Sequence, residues 1–509
     1  MLKGVYKDLK SGTDIRGIAS EGVKDEHINL TDEIVEEITL GFVQWLCDVQ
    51  NKKGDSLKVS VGHDSRISAD RISNMVQKTL QSTGVKVVDC GLASTPSMFM
   101  TTRDIACDAA IQITASHHPF NRNGLKFFVE SGGLQASDIE AILENAQEKK
   151  FPPILNNGSV KRMKYMQVYS KHLRDIICKG INAEDYLHPL KGFKIVVDAG
   201  NGAGGFYASD VLEPLGADTT GSQFLNPDGM FPNHIPNPEN PVAIKSISDA
   251  TKANNADLGV IFDTDVDRGG AVDSTGKEIN RNRLVALAAA IALEGNEGGT
   301  IVTDSITSDG LKEYIEDYLG AVHCRFKRGY KNVINESLRL NSEGINSPLA
   351  IETSGHAALR ENYFLDDGAY LVTKIIIKMA NLKKEGKSIE ELLKPLKEPK
   401  ESLEIRIKIT EADFKPVGNA LIAKVEEFAN ETKSWKLADD SKEGVRVSFG
   451  KRSGDGWFLL RLSVHDPVMP INIESNVEGG VKKILQNLYD VIKTESGFDF
   501  SAIEKALQD

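Results

Sequence analysis

The sequence lacks the features that mark several large classes of protein. Its five cysteines are scattered, odd in number and never spaced as C-x-x-C, which disfavours a disulfide framework and a structural zinc site. Such a pattern favours a reducing compartment. No apolar segment approaches the length of a membrane span, and no apolar signal region follows the N-terminal residues. We therefore expect a cytoplasmic protein.

Negative charge exceeds positive charge in the sequence. The chain has 61 Lys and Arg against 73 Asp and Glu, a formal net charge of −12. Phosphate backbones and acidic headgroups would be repelled on average, so we expect neither nucleic acid nor a membrane as partner. A local basic pocket for a small phosphate is compatible with this charge. Nothing in the sequence indicates an oligomeric state.

At 509 residues the chain is too long for one core, and the usual domain size predicts about three to four domains. Through the first three-quarters, β-branched runs alternate with amphipathic helical patterns, which is typical of parallel α/β layers. Strands are predicted over residues 58–61, 85–89, 109–116, 193–198, 258–262, 300–302 and 348–351, and helices over 69–81 and 205–215.

The last segment has a different pattern. Strands predicted over residues 403–409, 445–449 and 457–462 alternate with two helical stretches, which favours an α+β module with an antiparallel sheet. Residues 452–455 are predicted to form a hairpin turn.

A serine follows the apolar run 111–113. Ser116 is flanked by small residues and by His117, His118 and Pro119, and a turn then leads to Lys126. A hydroxyl at the end of a strand, with imidazole and ammonium neighbours, suits acyl or phosphoryl transfer. The alternative is a polar loop that only caps a turn.

Three carboxylates follow the apolar strand at 258–262. Asp263, Asp265 and Asp267 stand at every second position, and this period predicts that they share one face as hard oxygen ligands. We expect Mg²⁺ rather than Ca²⁺, because three carboxylates leave room for a phosphate oxygen. The alternative is a solvated acidic strand end. An EF-hand fits less well, since Arg268 occupies the position of that loop's glycine.

A glycine-rich stretch, Gly200 to Gly205, satisfies G-x-G-x-x-G after a predicted strand. Taken alone it would favour a nicotinamide-dependent enzyme. The surrounding Asp198 and Asn201 are atypical of that fingerprint, so we favour a tight βα turn.

Together, the Ser116 loop, the spaced aspartates and the stretch Glu352-Thr353-Ser354-Gly355-His356 resemble the α-D-phosphohexomutase superfamily. The resemblance spans nearly the whole chain. Further matching stretches lie at residues 11–17, 61–66, 226–232 and 366–368.

The resemblance implies an α/β fold in which three related α/β domains with mixed sheets and a C-terminal α+β domain surround a central cleft. We expect the phosphoserine loop in domain I (1–180) and the metal-binding loop in domain II (181–298). The sugar-recognition loop would lie in domain III (299–399), and the site for the distal phosphate in domain IV (400–509).

The implied function is an isomerase that interconverts hexose 1-phosphate and hexose 6-phosphate, with glucose and/or mannose as the sugar. Ser116 would carry the phosphoryl group, and a hexose 1,6-bisphosphate would serve as intermediate and activator. Two alternatives remain open: a phosphoglucosamine mutase, and a catalytically impaired homologue that binds sugar phosphates.

The resemblance also implies roles for single residues. Ser116, Asp263, Asp265 and Asp267 would bind Mg²⁺. Four residues are candidates for stabilising charge and moving the hydroxyl proton during phosphoryl transfer: Arg16, His117, Lys126 and His356. The candidates for substrate binding are Arg268, Gly329, Lys331, Glu352, Ser354, Arg461 and Ser463.

The C-terminal phosphate motif departs from the family pattern. Arg461 and Ser463 match it, but Val464 and His465 occupy the next positions and Pro470 stands near the place of a second arginine. Loss of a glycine and a cation should weaken a phosphate cradle. Substrate preference is therefore less constrained than the chemistry.

Overall fold

The computed structural model describes residues 2–463 and 466–508. The chain divides into two compact units: the first comprises Met1–Leu284 and Ser354–Glu390, and the second comprises Val285–Thr353 and Glu391–Asp509. The predicted four-domain boundaries remain a prediction.

Residues 2–181, as the structure describes them, contain eight strands and six α-helices. The strands are β1 (Lys10–Ser11), β2 (Asp14–Ile18), β3 (Lys58–His63), β4 (Lys86–Leu92), β5 (Ala109–Ile113), β6 (Arg122–Val129), β7 (Gly132–Gly133) and β8 (Ser159–Arg162). The helices are α1 (Gly4–Leu9), α2 (Asp32–Gln50), α3 (Ala69–Ser82), α4 (Thr95–Asp104), α5 (Ala136–Gln147) and α6 (Tyr165–Ile181).

These strands form one mixed sheet in the order β1-β2-β6-β5-β3-β4-β8, with β7 paired to β6. All five residues of β5 are buried, because helices cover both faces of a sheet built around parallel strands. Strand β6 returns antiparallel to β5 and places Lys126 opposite Gln112. The turn between these two strands carries Ser116.

A second mixed sheet contains β9 (Ile195–Asp198), β10 (Leu258–Phe262), β11 (Gly269–Asp273) and β12 (Glu278–Ile279). The order of these strands in the sheet is β12-β11-β10-β9. Helices α7 (Pro241–Ala253) and α8 (Arg281–Ala292) accompany them. Strand β10 is buried throughout and runs parallel to β9. The turn from β10 to β11 carries the three aspartates.

The predicted regular helix over 205–215 is wrong in detail. The chain there forms 3₁₀ turns at Ala203–Gly205 and Glu213–Leu215 around a π-helical turn at Tyr207–Leu212. Pro214 cannot donate a backbone hydrogen bond, and Gly216 adopts a left-handed φ of 87°. Both residues prevent a regular α-helix from continuing.

The third segment begins with β13 (Thr300–Thr303), which pairs in parallel with β14 (Val322–Arg325) and β15 (Leu349–Ile351). Strands β16 (Ala357–Leu359) and β17 (Leu365–Asp366) form an antiparallel pair. The helices are α9 (Asp309–Glu313), α10 (Tyr330–Ser342), α11 (Gly368–Lys384) and α12 (Ile389–Leu393).

The last segment forms an antiparallel sheet. Its strands are β18 (Glu401–Ile409), β19 (Lys436–Leu437), β20 (Val445–Phe449), β21 (Gly456–Leu460), β22 (Val468–Ser475) and β23 (Phe498–Asp499). Their order in the sheet is β19-β20-β21-β22-β18-β23. Helices α13 (Phe414–Glu431), α14 (Gly480–Ile492) and α15 (Ser501–Gln508) accompany it. Ile405, Ile407 and Ile409 of β18 are buried while Arg406 and Lys408 are exposed, which is the alternation of a sheet with one wet face.

The predicted fold class is therefore confirmed: α/β segments with mixed sheets precede an α+β module. Residues 452–455 connect the antiparallel strands β20 and β21, as expected. The strand predicted to reach Ser116 ends earlier, at Ile113, and Ser116 lies in the following turn. All five cysteines are free. Among the described residues, no helix combines the length and the apolar character needed to cross a membrane.

Gly368 makes a close backbone contact with the aspartate turn. Its N–H donates to the carbonyl of Val266 at 3.0 Å, and a Cβ at this position would lie 2.3 Å from the carbonyl carbon of Arg268. Helix α11 begins here, capped by the carboxylate of Asp367. Only glycine allows the helix to start against this turn.

We predict that Gly368→Ala lowers stability by about 1–3 kcal/mol, because the added methyl overlaps rigid backbone. Replacing glycine by alanine within a helix normally raises stability. A loss of stability in Gly368→Ala would therefore be opposite to the usual effect. Gly450→Ala is the control, since Gly450 has φ −78° and a methyl added there would meet no atom within 4 Å. Equal denaturant midpoints for the two variants would contradict the prediction.

Candidate active site

Ser116 is held in a strained and buried turn. Its φ is 51°, a left-handed value that is uncommon for a residue with a side chain, and it is 3% exposed. The Ser116 hydroxyl donates to Oδ2 of Asp263 at 3.1 Å. Nη2 of Arg268 lies 3.5 Å from the Ser116 hydroxyl oxygen. The serine oxygen therefore sits between a carboxylate and a guanidinium.

The three aspartates converge through a turn and not through the extended alternation that the sequence predicted. Strand β10 ends at Phe262, and Val266 adopts a left-handed φ of 65°. Asp263, Asp265 and Asp267 each present a carboxylate oxygen, and these atoms all lie within 4.8 Å of one another. The turn thus gathers three buried carboxylates more tightly than a strand of period two would.

Two cations offset part of this negative charge. Nζ of Lys126 donates to Asp265 at 3.0 Å and to Asp267 at 2.5 Å, while Nε of Arg268 donates to Asp263 at 3.0 Å. Burial opposes the charge on Lys126, but the two carboxylates hold its pKa well above the usual value. We therefore expect Lys126 to be an ammonium throughout the neutral pH range.

The carboxylates themselves differ in pKa. Burial raises the pKa of Asp263, and the neighbouring charge of Asp267 adds to this. Burial also opposes ionisation of Asp267, but the charges of Lys126 and Arg268 favour the carboxylate, and the pKa of Asp267 is lowered. Asp267 is consequently the more firmly ionised member of the pair.

The donor set fits a hard divalent cation. Oδ1 of Asp265 and Oδ1 of Asp267 are buried without a hydrogen-bond partner among the described residues. A buried carboxylate oxygen left without a partner is costly, and Mg²⁺ prefers such oxygen ligands. Asp263, Asp265 and Asp267 are therefore the residues that would hold the ion.

The other predicted catalytic groups lie in the same unit. Nδ1 of His117 is 3.4 Å from the Ser116 hydroxyl, and Nε2 of His356 is 3.9 Å from Asp267. Burial, reinforced by the charge of Arg268, lowers the pKa of His356 to about 3 although Asp267 opposes this. His356 is thus a neutral imidazole near neutral pH.

Arg16 and Ser354 complete the predicted residues of the first unit. Nη2 of Arg16 donates to Asp14 at 2.7 Å, and its charge contributes to the lowered pKa of His356. The hydroxyl of Ser354 lies 2.9 Å from Nδ1 of His356. Ser354 is therefore placed to set the orientation of that imidazole.

The second unit carries the remaining candidates. Gly329, with φ 119°, precedes helix α10 and donates its N–H to Oε1 of Glu352 at 2.7 Å. The Glu352 side chain is buried and fixes this glycine turn, which also leads into Lys331. The structure therefore connects two of the sequence stretches predicted to recognise the sugar.

Arg461 and Ser463 follow strand β21. Arg461 is 9% exposed, and its Nη1 lies 3.9 Å from Glu443. The Ser463 hydroxyl accepts the N–H of Asp466 at 3.2 Å. Val464 and His465, the positions that depart from the phosphate motif, lie outside the described residues. Pro470 is paired with Arg406 within the sheet, so it occupies a strand and not a loop.

Comparisons with known proteins match most of the chain to one family. Models of the phosphoglucomutase/phosphomannomutase α/β/α domains I, II and III match residues 8–152, 167–276 and 280–398. The chain belongs to the phosphoglucomutase/phosphomannomutase family.

Individual relatives of this family extend the match along the chain. A phosphoglucomutase/phosphomannomutase from Thermococcus kodakarensis is 31% identical over 479 residues, covering 93% of this chain and 95% of the relative. A phosphomannomutase/phosphoglucomutase from Pseudomonas putida is 29% identical over 440 residues, covering 86% and 87%. A crystal structure of a family protein from Burkholderia thailandensis has a TM-score of 0.79 at 24% identity, covering 98% of this chain and 100% of that one.

Some supporting residues of this phosphoglucomutase/phosphomannomutase family member escaped the sequence analysis. The Thr95 hydroxyl donates to Asp265 at 2.5 Å, and its N–H donates to the Asp265 carbonyl at 2.8 Å. In the second unit, Glu443 accepts from the Ser305 hydroxyl at 2.6 Å and from the Arg328 N–H at 3.1 Å. The capped helix start Ser94-Thr95-Pro96 was a local signal for the first, whereas nothing local marked Glu443.

A buried ion pair supports Arg268 from the other side. Nε2 of His234 lies 3.0 Å from the carboxylate of Asp198, and its Nδ1 lies 3.0 Å from the carbonyl of Ile235. Both neighbours are hydrogen-bond acceptors, so they favour a ring that carries a proton on each nitrogen. The segment that follows brings Asn237 within 3.3 Å of Arg268.

We predict that His234→Gln lowers the free energy of unfolding more at acidic pH than at alkaline pH. Burial opposes the charge of His234, but Asp198 raises its pKa above 6.5. The stabilisation is therefore complete below about pH 6.5 and is lost as the pH rises through the raised folded-state pKa. Denaturant unfolding of both proteins between acidic and mildly alkaline pH measures this difference.

His188→Gln is the matched control, because His188 faces Asp185 at 3.1 Å in an exposed pair. Its removal should leave the stability profile nearly unchanged. A His234→Gln deficit that grew towards alkaline pH would contradict the assignment.

Proposed function

We propose that this chain is a magnesium-dependent phosphohexomutase that interconverts the 1-phosphate and 6-phosphate of glucose and/or mannose. The supporting observation is the Ser116 hydroxyl, hydrogen-bonded to Asp263 beside a cluster of three carboxylates and the guanidinium of Arg268. Family membership supports an isomerase that acts by phosphoryl transfer. Its substrates would be small phosphosugars.

In the proposed reaction, Ser116 carries a phosphoryl group and donates it to the free hydroxyl of a hexose monophosphate. The bond from phosphorus to the serine oxygen breaks, and a bond to the sugar oxygen forms, giving a hexose 1,6-bisphosphate. After the bisphosphate reorients, Ser116 takes back the other phosphoryl group. The same bisphosphate would activate an enzyme that has lost its phosphate.

The cations and imidazoles around Ser116 divide the remaining work. Arg268 and Lys126 stabilise negative charge on the transferred group, and Arg16 adds a third positive charge nearby. His117 and His356 are neutral imidazole candidates for handling the sugar hydroxyl's proton together with these groups. Mg²⁺ held by the three aspartates and the phosphoserine would supply further neutralisation of the phosphoryl oxygens.

We assign substrate recognition to six residues that the family resemblance indicates. Glu352 and Ser354 would bind sugar hydroxyls, because a carboxylate can accept two hydrogen bonds in either pose of a reorienting sugar. Gly329 and Lys331 would approach the substrate from the turn before α10. Arg461 and Ser463 would bind the phosphate that does not react. A cytoplasmic location remains a prediction that fits the free cysteines.

We predict that Ser116→Ala lowers turnover by roughly three orders of magnitude or more, because the phosphoryl carrier is lost. Coupled assays with a panel of hexose 1-phosphates, Mg²⁺ and a bisphosphate activator measure the loss. Intact mass after incubation with hexose 1,6-bisphosphate should show one phosphoryl adduct on the parent protein and none on the variant. Ser131→Ala is the control, because Ser131 is exposed on a turn far from the aspartates in the sequence.

The panel also separates the candidate functions. Faster turnover of glucosamine 1-phosphate than of glucose or mannose 1-phosphate would favour the phosphoglucosamine mutase. Absence of both adduct and turnover with every sugar would favour the impaired homologue and exclude the proposal.

We predict that Asp265→Asn weakens Mg²⁺ binding at least about tenfold, because a charged oxygen ligand becomes a neutral amide. Calorimetric titration with Mg²⁺ alone, without sugar, measures the affinity. Asp257→Asn is the control: Asp257 precedes the same strand at its opposite end, where its carboxylate accepts from Lys383 at 2.9 Å. Equal affinity in both variants would remove Asp265 from the metal site.

A further inference from the structure

Arg66 holds the turn that carries Ser116 by its backbone. Nη1 donates to the carbonyls of Pro119 at 2.7 Å and Arg122 at 2.9 Å. Nη2 donates to the carbonyls of Ser116 at 2.5 Å and His118 at 2.6 Å. One guanidinium therefore donates to four carbonyls between Ser116 and Arg122, including that of the serine itself.

A second connection reaches the amide of the serine. The carboxylate of Asp64 accepts the backbone N–H of Arg66 at 2.9 Å and lies 3.3 Å from its Nε. The same carboxylate accepts the Thr114 hydroxyl at 2.6 Å, and that hydroxyl accepts the N–H of Ser116 at 2.9 Å. Both the N–H and the carbonyl of Ser116 are thus fixed by the Asp64–Arg66 pair.

Gly229 and Phe231, which come from a later part of the chain, pack against the Asp64–Arg66 segment. The ring of Phe231 covers the guanidinium at 5.3 Å, and a Cβ on Gly229 would lie 2.4 Å from the amide nitrogen of Ile67. The side chains of Asp64 and Arg66 are both fully buried. These contacts give a role to the stretches 61–66 and 226–232, which the catalytic assignments leave unused.

The geometry requires arginine. A guanidinium offers five donors in a rigid planar fork, whereas an ammonium offers three donors on one nitrogen. Burying a charge is costly unless nearly every donor is satisfied, so this site is built around its backbone acceptors. None of the bonds involves the Ser116 hydroxyl, and adding a phosphoryl group there would break none of them.

We propose that Asp64, Arg66 and Thr114 are positioning residues that keep the Ser116 turn in one conformation when the serine is free and when it is phosphorylated. The inference rests on the proposed function, because it assumes that Ser116 is the phosphoryl carrier. The turn then needs no rearrangement between the two halves of the reaction. The left-handed φ of Ser116 is maintained by the carbonyl and amide contacts, not by its side chain.

Arg66→Lys is the first test, with Arg71→Lys as the matched control. Arg71 also donates to two backbone carbonyls, those of Ala19 and Leu30, each at 3.0 Å, but they lie outside the serine turn. We expect Arg66→Lys to lower kcat about a hundredfold, since a small displacement of a reacting group has an effect of this size. KM should stay within about threefold, because no sugar-binding group is touched.

Two further readouts separate positioning from general destabilisation. Amide hydrogen exchange over residues 114–123 should quicken in Arg66→Lys and not in Arg71→Lys. Phosphorylation of Ser116 by hexose 1,6-bisphosphate, followed by intact mass, should slow in parallel with kcat. Unchanged exchange and unchanged phosphorylation in Arg66→Lys would overturn the proposal.

Thr114 provides a test that does not depend on Arg66→Lys folding. Thr114→Val keeps the shape but removes the hydroxyl, whereas Thr114→Ser keeps the hydroxyl. We expect Thr114→Val to lower kcat at least about tenfold and Thr114→Ser to restore most of it. Equal kcat in the two variants would overturn the proposal. If the parent protein itself takes no phosphoryl group, it is the proposed function that fails.

Discussion

The concentration of negative charge after strand β10 is the constraint on which the site depends. Three carboxylates within 4.8 Å of one another in a buried turn repel each other strongly, and the turn persists because Lys126 and Arg268 lie against it. These cations come from different parts of the first unit: one from the strand beside Ser116, the other from the aspartate turn itself. The negative charge of the turn is therefore offset only where these two segments pack together.

Contacts from several parts of the first unit hold this site in place. Thr95 fixes Asp265 from a helix start, Gly368 lies against the backbone of Arg268, and the Asp198–His234 pair anchors the segment that reaches Arg268. Phosphoryl transfer needs positioning and charge stabilisation more than reactive side chains. A site supported by contacts on several sides is suited to that need.

The sequence predicted the parts of the site that are local. Ser116 and the three aspartates lie within five residues of the end of an apolar strand, so strand patterns and residue chemistry located them. The contacts of Thr95 with Asp265 and of Arg66 with four carbonyls join residues far apart in the chain. The local pattern at Ser94-Thr95-Pro96 marks a helix start, but it does not indicate that Thr95 contacts Asp265. The aspartates meet through a left-handed Val266, which periodicity could not indicate, because the period of two holds only while the chain stays extended.

Fold class was predictable for the same reason, whereas the grouping of segments was not. Alternating β-branched and helical patterns indicated α/β layers, but only close packing such as that of Gly368 on Arg268 places residues 354–390 with the first unit. In the second unit, Glu443 links Arg461 to Ser305 and to the backbone of Arg328. An anion that bound Arg461 would compete with Glu443 for the guanidinium. The same carboxylate also accepts the Arg328 amide just before Gly329, so these two loops share one acceptor.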